Sequence, residues 1–219
     1  MTAPARDVVC AEAVQWLRTH EAVADRAIVT SLPDVSEVGM SLAAWRTWFL
    51  DAVLAVVNAT TPAQPAIFFQ TDIKRDGHWI DKGALVVRAA EDAGAHVLFH
   101  KVVCRRPPGT NTYGRPAFTH LIAVSRELKC PAVLAVPDII VDAGRLPWVR
   151  AMGVRAAGHA VRFARDHAAA KSILDPFCGV GTVLAAANLL GLDAVGVERS
   201  RQRCARARVL AVTPDDVAV

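Results

Sequence analysis

The stretch Ser-Ile-Leu-Asp-Pro-Phe-Cys-Gly-Val-Gly-Thr, residues 172–182, decides the fold of this chain. Residues 173–174, Ile-Leu, are typical of a buried strand, and Pro176 cannot continue the hydrogen bonding of that strand. Gly179 and Gly181 allow a tight turn in which the backbone comes close to a ligand. The sequence therefore predicts a strand that breaks into a glycine turn at the start of a helix.

A second strand and an acid follow this helix. The helix continues through residues 188–190 and ends at Gly191, residues 194–197 form the strand, and Glu198 stands at its carboxyl end. Ligands bind outside the carboxyl ends of strands in open α/β sheets, and an acid there suits the hydroxyls of a ribose. The turn lacks the third glycine of a dinucleotide fingerprint and the Lys-Ser/Thr pair of a P-loop, and Asp175 suits a cationic group better than a pyrophosphate. We therefore expect a ligand that combines a nucleoside with a cationic group, as S-adenosylmethionine does.

The turn Asp-Pro-Phe-Cys-Gly-Val-Gly-Thr resembles the cofactor motif of class I S-adenosylmethionine-dependent methyltransferases that modify exocyclic amines of nucleic-acid bases. The resemblance implies an enzyme whose cofactor is S-adenosyl-L-methionine. It also implies a set of residues around the methionine part and the ribose of that cofactor: Asp175, Pro176, Phe177, Gly179, Gly181, Thr182 and Glu198.

The order of the elements indicates a circular permutation. Residues 27–30 predict a buried strand, and the turn Ser31–Asp34 follows it far ahead of the cofactor turn. The usual class I order places the cofactor turn first, whereas one group of amine-methylating DNA methyltransferases places the catalytic half first. The resemblance therefore implies an α/β fold with a doubly wound, mostly parallel Rossmann-like sheet in permuted strand order. We expect one methyltransferase domain over residues 1–219, with a catalytic half over about 1–130 and a cofactor-binding half over about 131–219.

The remaining segments supply the helices and strands that such a sheet needs. Apolar spacing predicts helices over 7–20, 41–58, 81–93 and 154–167, and a strand over 66–71. Residues 96–103 and 117–124 read as strands without a helix between them, which predicts an antiparallel hairpin, while the polar segment 72–79 predicts a loop. A helix is predicted over 200–210 after Glu198. The strand that normally follows that helix is missing, shortened, or formed by residues 209–212.

The turn Ser31-Leu32-Pro33-Asp34 resembles the catalytic turn of the amine methyltransferases, Asp/Asn/Ser-Pro-Pro-aromatic. The resemblance implies that the first side chain and a prolyl carbonyl align the attacking amine, while the aromatic residue stacks on the extruded base. Ser31, Pro33 and Asp34 are the predicted catalytic residues, although Leu32 replaces one proline and Asp34 replaces the aromatic residue. Asp34 could accept a proton or bind a cationic group. Alternatively, this is an ordinary polar turn in which Asp34 caps the next helix and Glu37 completes a capping box.

Basic residues with an aromatic neighbour lie in the predicted hairpin connection, at Arg105, Arg106, Tyr113 and Arg115. They suit phosphate contacts and base stacking, although a solvated loop has the same composition. Together with Glu37, an acid close to the catalytic turn, they are the predicted substrate-binding residues. The chain has no insertion large enough for a separate DNA-reading module, which favours structured RNA, where shape supplies selectivity.

These patterns predict a methyltransferase that acts on a base amine of nucleic acid, RNA rather than DNA, by direct in-line transfer. It would thus serve in RNA modification. Two alternatives stay open. One is a small-molecule methyltransferase in which Asp34 and Glu37 receive a polar or cationic substrate. The other is a non-catalytic cofactor-binding subunit of a methyltransferase complex.

Composition sets the wider limits. A chain of 219 residues that is 53% hydrophobic suits one well-cored domain, and a net charge of +4 favours an anionic partner only mildly. Its five cysteines are scattered, without a Cys-x-x-Cys pair, so we expect neither a metal site nor a disulfide framework. No segment approaches the roughly 18 apolar residues that span a bilayer, so we expect a cytoplasmic protein. The oligomeric state is open, and a homodimer is compatible with the sequence.

Overall fold

The computed structural model describes residues 3–130 and 137–218. Its strands are β1 (Arg6–Val9), β2 (Arg26–Thr30), β3 (Ala66–Gln70), β4 (Ile73–Arg75), β5 (His78–Ile80), β6 (His96–Cys104), β7 (Phe118–Ser125), β8 (Ile139–Ile140), β9 (Ser172–Asp175) and β10 (Asp193–Val197). Its helices are α1 (Ala13–Thr19), α2 (Val35–Val38), α3 (Leu42–Asn58), α4 (Lys82–Asp92), α5 (Val154–Ala168), α6 (Thr182–Leu189), α7 (Arg201–Val209) and α8 (Pro214–Val217).

Eight strands form one sheet in the order β1-β10-β9-β2-β3-β7-β6-β8, and β4 and β5 form a separate hairpin. Strand β7 runs antiparallel to β3 and β6, while the other pairs in the large sheet are parallel. The predicted doubly wound, mostly parallel sheet and its antiparallel hairpin are therefore confirmed. Every residue of β3 is buried, as expected for a strand that helices cover on both faces.

Two hydrophobic cores, one on each face, hold the helices on the sheet. Trp45 and Phe49 of α3 are fully buried in the first core, together with apolar residues of α1 and α4. Val161 of α5 and Leu184 of α6 are fully buried in the second core, which also includes Ala207 of α7. The predicted amphipathic helices 41–58, 81–93 and 154–167 thus form close to their expected bounds.

The chain changes its winding direction between β9 and β2, which are neighbours in the sheet. From β9 the chain passes through α6 to β10 on one side, and from β2 it passes through α3 to β3 on the other side. A crevice opens at the carboxyl ends of two strands whose crossovers diverge in this way. Both predicted turns, which follow β9 and β2, therefore meet at this switch point.

The N-terminal segment differs from its prediction. Only residues 13–19 of the expected helix 7–20 are helical, and Arg6–Val9 instead forms β1, which pairs in parallel with β10. Pairing satisfies the backbone groups of β10, and Arg6 secures the strand by donating to Asn188 Oδ1 at 2.6 Å and to the Leu210 carbonyl at 2.6 Å. Among the described residues no strand follows α7, and residues 209–212 do not form one; β1, from the other end of the chain, occupies that place at the edge of the sheet.

Two other segments bear on the predictions. The prediction of a loop over 72–79 is wrong for most of that segment, because β4 and β5 pair there as a hairpin that ends at Ile80, with Lys74 opposite Trp79. Residues 131–136, where the two predicted halves of the chain join, lie outside the described residues. Within the described ranges, none of the helices combines the length and the apolar character needed to cross a membrane.

Candidate active site

The cleft at the switch point has a volume of about 940 Å³. Both predicted turns line it, together with the start of α1 and a segment that includes Trp148 and residues 150–152. The predicted site residues on its wall are Ser31, Pro33, Glu37, Asp175, Pro176, Phe177, Gly179, Thr182 and Glu198. The structure therefore brings most of the predicted catalytic and cofactor-binding residues to one cavity.

Asp175 is a buried carboxylate at the carboxyl end of β9. Its Oδ1 accepts a hydrogen bond from Thr30 Oγ1 at 2.7 Å and another from the Phe177 N–H at 3.1 Å. Burial raises the pKa of Asp175 to about 7, and the negative charge of Glu198 acts in the same direction. A buried carboxylate in this state is stabilised in its charged form by a cationic group, which agrees with the cation predicted for this turn.

The glycine turn contains one residue that faces the cleft and one that serves packing. Gly179 has a φ of +55°, lines the cleft, and has open space where a Cβ would stand. Gly181 has a φ of +87°, and a Cβ there would lie 2.8 Å from Ala207 Cα. Gly181 does not line the cleft in the ligand-free protein, and its close approach is to Ala207 of α7.

Thr182 begins α6 beside this turn. Its Oγ1 is buried and has no hydrogen-bond partner among the described residues, although Thr182 lines the cleft. A buried hydroxyl without a partner costs free energy unless a ligand or water satisfies it. Thr182 thus fits a polar ligand in the cleft.

Glu198 lies at the carboxyl end of β10, as predicted. Its Oε1 accepts from the Ser200 N–H at 2.8 Å, and its Oε2 lies 3.9 Å from Nη1 of Arg203. The guanidinium of Arg203 in turn lies 4.7 Å from the ring centre of Trp148. The carboxylate therefore keeps acceptor capacity for the hydroxyls of a ribose.

The turn Ser31–Asp34 follows β2, and its first three residues line the cleft. The indole N–H of Trp45 donates to the Pro33 carbonyl at 3.2 Å, which fixes the turn on α3. Nζ of Lys82 lies 3.5 Å from the Leu32 carbonyl. A carbonyl oxygen has two lone pairs, so that of Leu32 can accept a second hydrogen bond.

Asp34 is paired with two cations and does not line the cleft. Its Oδ1 lies 2.7 Å from Nζ of Lys82, and its Oδ2 lies 3.5 Å from Nη2 of Arg115. The Lys82 side chain is only 3% exposed and also faces the rings of Trp45 and Phe49 at 5.9 and 5.5 Å. Burial lowers the pKa of Lys82, and the Asp34 carboxylate opposes this change. The carboxylate is thus engaged within the protein and is poorly placed to receive a cationic substrate.

Glu37 caps the start of α2 and also lines the cleft. Its Oε2 accepts from the Asp34 N–H at 2.9 Å, in a capping box at the start of α2. Its Oε1 lies 3.2 Å from Nη1 of Arg150. Asp34 and Glu37, which would receive a polar or cationic substrate in a small-molecule methyltransferase, are therefore both paired.

A second cavity of about 650 Å³ contains the four basic and aromatic residues of the hairpin connection, Arg105, Arg106, Tyr113 and Arg115. Ala151 lines both cavities, so the two adjoin. Nη1 of Arg105 donates to Thr71 Oγ1 at 3.1 Å, whereas the Tyr113 side chain is almost fully exposed. We refer to this second cavity as the basic groove.

Sequence reasoning missed five residues that shape the site: Thr30, Lys82, Trp148, Arg150 and Arg203. Thr30 was predicted as a strand residue, and only its position directly before the catalytic turn hints at its bond to the cofactor strand. Lys82 follows a helix-capping Asp81 and has no motif of its own. The other three are brought to the cleft by tertiary contacts between distant segments, for which the sequence holds no local signal.

Three groups that could share a cation, Asp72, Asp81 and His120, have ligand atoms within 4.8 Å of one another. Hydrogen bonds to protein groups explain why Asp72 and His120 lie close together. Asp72 accepts from the Lys82 backbone N–H at 2.8 Å, from Trp79 Nε1 at 2.9 Å and from His120 Nε2 at 3.0 Å. The cluster therefore fixes the start of α4, and with it Lys82, beside the catalytic turn.

The comparisons with known proteins agree with the cofactor end of the site. Residues 169–209 match the sequence model of a family described as DNA methylase. This range contains the glycine turn and Glu198, so the predicted resemblance to amine-methylating, S-adenosylmethionine-dependent methyltransferases is confirmed. None of the curated proteins matches the chain in sequence.

Solved structures show the same fold over nearly the whole chain. A putative DNA modification methylase from Thermus thermophilus is 16% identical, with a TM-score of 0.69 and 92% of each chain covered. A structure of that protein complexed with S-adenosyl-L-methionine is similar at 17% identity and a TM-score of 0.69, covering 92% of this chain and 91% of the other. The cytosine-N4-specific PvuII DNA methyltransferase is 12% identical, with a TM-score of 0.71, and the match covers 99% of this chain and 93% of the other.

Proposed function

We propose that this chain transfers a methyl group from S-adenosylmethionine to an exocyclic amine of a nucleic-acid base. One observation carries the proposal: the turns that follow β9 and β2 share a single cleft, and the basic groove opens beside it. The match of residues 169–209 to the DNA methylase family supports a methyltransferase that uses this cofactor. The proposal keeps one domain in permuted order, with the catalytic turn before the cofactor turn in the chain.

The residues of the cleft fit the cofactor. The buried Asp175 carboxylate suits the cationic methionine part, the partnerless Thr182 hydroxyl offers a further hydrogen bond, and Glu198 suits the ribose. Gly179 leaves room for the ligand, and Phe177, with Pro176, forms an apolar wall. When bound, S-adenosylmethionine supplies an electrophilic methyl group on a sulfonium.

The catalytic turn supplies hydrogen-bond acceptors for the amine. In this proposal the Ser31 hydroxyl and the Leu32 carbonyl, both on the cleft wall, accept the two amine hydrogens and thereby orient the nitrogen lone pair for attack. A cofactor held by Asp175, Thr182 and Glu198 would supply the methyl group and would keep the electron pair of the broken S–C bond, while the methylated amine would release one proton to solvent. Pro33, fixed by Trp45, keeps the turn rigid during the transfer.

DNA fits the proposal at least as well as RNA as the nucleic acid that is methylated. The similar structures are of DNA methylases, so the preference for RNA expected from the sequence has no support from them. The basic groove binds phosphates in either polymer. We therefore propose a nucleic-acid base amine as the substrate and leave the polymer to experiment.

The structure weakens the reasons for the two alternatives. A small-molecule enzyme was favoured by free acids at Asp34 and Glu37, but Lys82, Arg115 and Arg150 pair with them. A missing strand and the loss of the aromatic residue from the catalytic turn would both permit a non-catalytic subunit, but β1 completes the sheet.

The test is methyl transfer by the purified chain alone. The protein is incubated with methyl-labelled S-adenosylmethionine and, in separate reactions, with unmethylated duplex DNA and with unmodified RNA, and mass spectrometry identifies the labelled nucleosides. We expect a methylated base amine in one polymer and no label with the Asp175→Ala variant. Transfer to neither polymer, with cofactor bound, would contradict the proposal.

A further inference from the structure

We propose that Arg115, held by Asp34, is the platform on which the extruded base stacks, and that Asp34 is a positioning residue. This inference rests on the proposed function. It assigns a substrate contact to the residue pair that lies where the cleft and the basic groove adjoin.

The first step concerns the fixed carboxylate. Asp34 stands at the N-cap of α2, its N–H is bonded to Glu37, and its Oδ1 is bonded to the buried ammonium of Lys82. The Asp72 carboxylate fixes the start of α4 and thereby the Lys82 backbone. The bond of the Asp34 N–H to Glu37 and the bond of Oδ1 to Lys82 thus hold the carboxylate in place and leave Oδ2 for Arg115.

The second step concerns the cation on that carboxylate. Nη2 of Arg115 lies 3.5 Å from Oδ2 of Asp34, and the Arg115 side chain is 43% exposed. Arg115 also lines the basic groove, while Pro33, the neighbour of Asp34, lines the cleft. One edge of the guanidinium is therefore anchored, while part of its surface stays exposed in the basic groove.

The third step concerns the chemistry of a held guanidinium. It is planar, weakly hydrated and permanently charged, and bases stack on its face in protein complexes with nucleic acids. A lysine at the same position would keep the charge but lose the plane. An aromatic residue would keep the plane but lose the charge. This contrast separates stacking from a phosphate contact, for which a point charge is sufficient.

The test compares Arg115→Lys with Arg115→Tyr. We measure kcat/KM for methyl transfer to the polymer that the parent modifies, and the affinity for a fluorescein-labelled duplex with a central mismatch in the presence of S-adenosylhomocysteine. Stacking predicts that Arg115→Tyr stays within about threefold of the parent, whereas Arg115→Lys loses about tenfold because it removes the flat stacking surface.

The reverse order, with Lys tolerated and Tyr not, would identify a phosphate contact and overturn the proposal. Equal losses or no loss in the two variants would also overturn it. Arg88→Lys, at an exposed position on α4, is the control and should match the parent. A parent that neither methylates nor binds nucleic acid defeats the proposed function as well, so the two failures are distinguishable.

A second experiment tests the positioning role of Asp34. The double variant Asp34→Tyr/Lys82→Met replaces the buried ion pair with an aromatic and an apolar side chain. In that background, Arg115→Ala should cost less than about threefold in kcat/KM, because the introduced aromatic ring would supply the stacking surface, whereas in the parent it should cost about tenfold. Equal costs in both backgrounds would show that Asp34 and Arg115 act independently.

Discussion

The buried carboxylate of Asp175 makes the stability of the folded protein depend on pH. Its pKa is raised to about 7 by burial, so the folded protein keeps a proton there that the unfolded chain, with a value of 3.8, has lost. The folded state is therefore penalised as the pH rises through this window, unless a cation pairs with the carboxylate. This group costs stability in the protein without ligand and is compensated when the ligand binds.

We expect Asp175→Asn to stabilise the ligand-free protein by roughly 1–3 kcal/mol at about pH 8, because asparagine does not ionise yet still accepts from Thr30. Urea denaturation at high and low pH measures this, and the gain should vanish near about pH 4. Calorimetry should show the parent's affinity for S-adenosylmethionine falling by up to about tenfold per unit below about pH 7. An affinity of the parent that is independent of pH would contradict this role.

Lys82 and Lys171 allow a comparison of buried and exposed ion pairs. Lys82 pairs with Asp34 inside the protein, whereas Lys171 pairs with Asp25 at 3.0 Å on the surface. We expect Lys82→Ala to lower the free energy of unfolding by about 2–4 kcal/mol, because the Asp34 carboxylate loses its closest partner. Lys171→Ala should change it by less than about 1 kcal/mol. Equal effects in chemical denaturation would show that burial of Lys82 does not matter.

Individual site residues can be predicted from the sequence when they belong to a local motif. They cannot be predicted when their role depends on contacts with distant parts of the chain. Asp175, Gly179 and Glu198 could be found because a turn and a strand end define them. Lys82 could not be found, since its importance depends on the rings of α3 and on a carboxylate almost fifty positions away. Asp34 was found, but the cations that bind it could not be foreseen.

Helix α7 packs closely on the glycine turn, and this contact explains the glycine at 181. Both Gly181 and Gly191 have a positive φ, of +87° and +84°, but only at Gly181 does a Cβ meet a neighbour, Ala207. Gly191→Ala should cost about 1–2 kcal/mol for the left-handed backbone alone. Gly181→Ala should cost about 1–3 kcal/mol more because of overpacking.

Thermal or urea denaturation of both variants measures the difference. Similar losses at the two positions would mean that α7 moves away at little cost. In that case, S-adenosylmethionine affinity of Gly181→Ala would reveal whether the helix also supports the cofactor turn.

Elements with a clear period were predicted well, whereas β1 was not. Helix α3 has a broad apolar face over many turns, and periodicity alone locates it. Strand β1 has four residues, and Val8 and Val9 fit a helix as well as they fit a strand. Pairing with β10, at the other end of the chain, decides between these conformations, and no local pattern contains that information.

The whole molecule has a net charge of +4, but the basic groove concentrates positive charge beside the cleft. We expect the affinity for nucleic acid to fall steeply with salt concentration. Each of Arg105→Ala and Arg106→Ala should reduce the slope of log K against log salt by about 1. Fluorescence anisotropy over a range of salt measures this, with Arg88→Ala as the control. An unchanged slope in both variants would place the phosphates elsewhere.

Two pairs of neighbouring strands, β1 with β10 and β2 with β9, come from distant parts of the chain and are therefore synthesised at different times. Strands β1 and β2 leave the ribosome early, whereas β10 and β9, which lie beside them, emerge only after most of the chain has been synthesised. Until then β2 has an unpaired edge in the centre of the future sheet, which is a hazard for aggregation. Pairing over such long separations is also slow. A truncated translation product that lacks β9 and β10 therefore cannot form the cleft. We expect expression of the protein to depend on chaperones that cover β1 and β2 until β9 and β10 are synthesised.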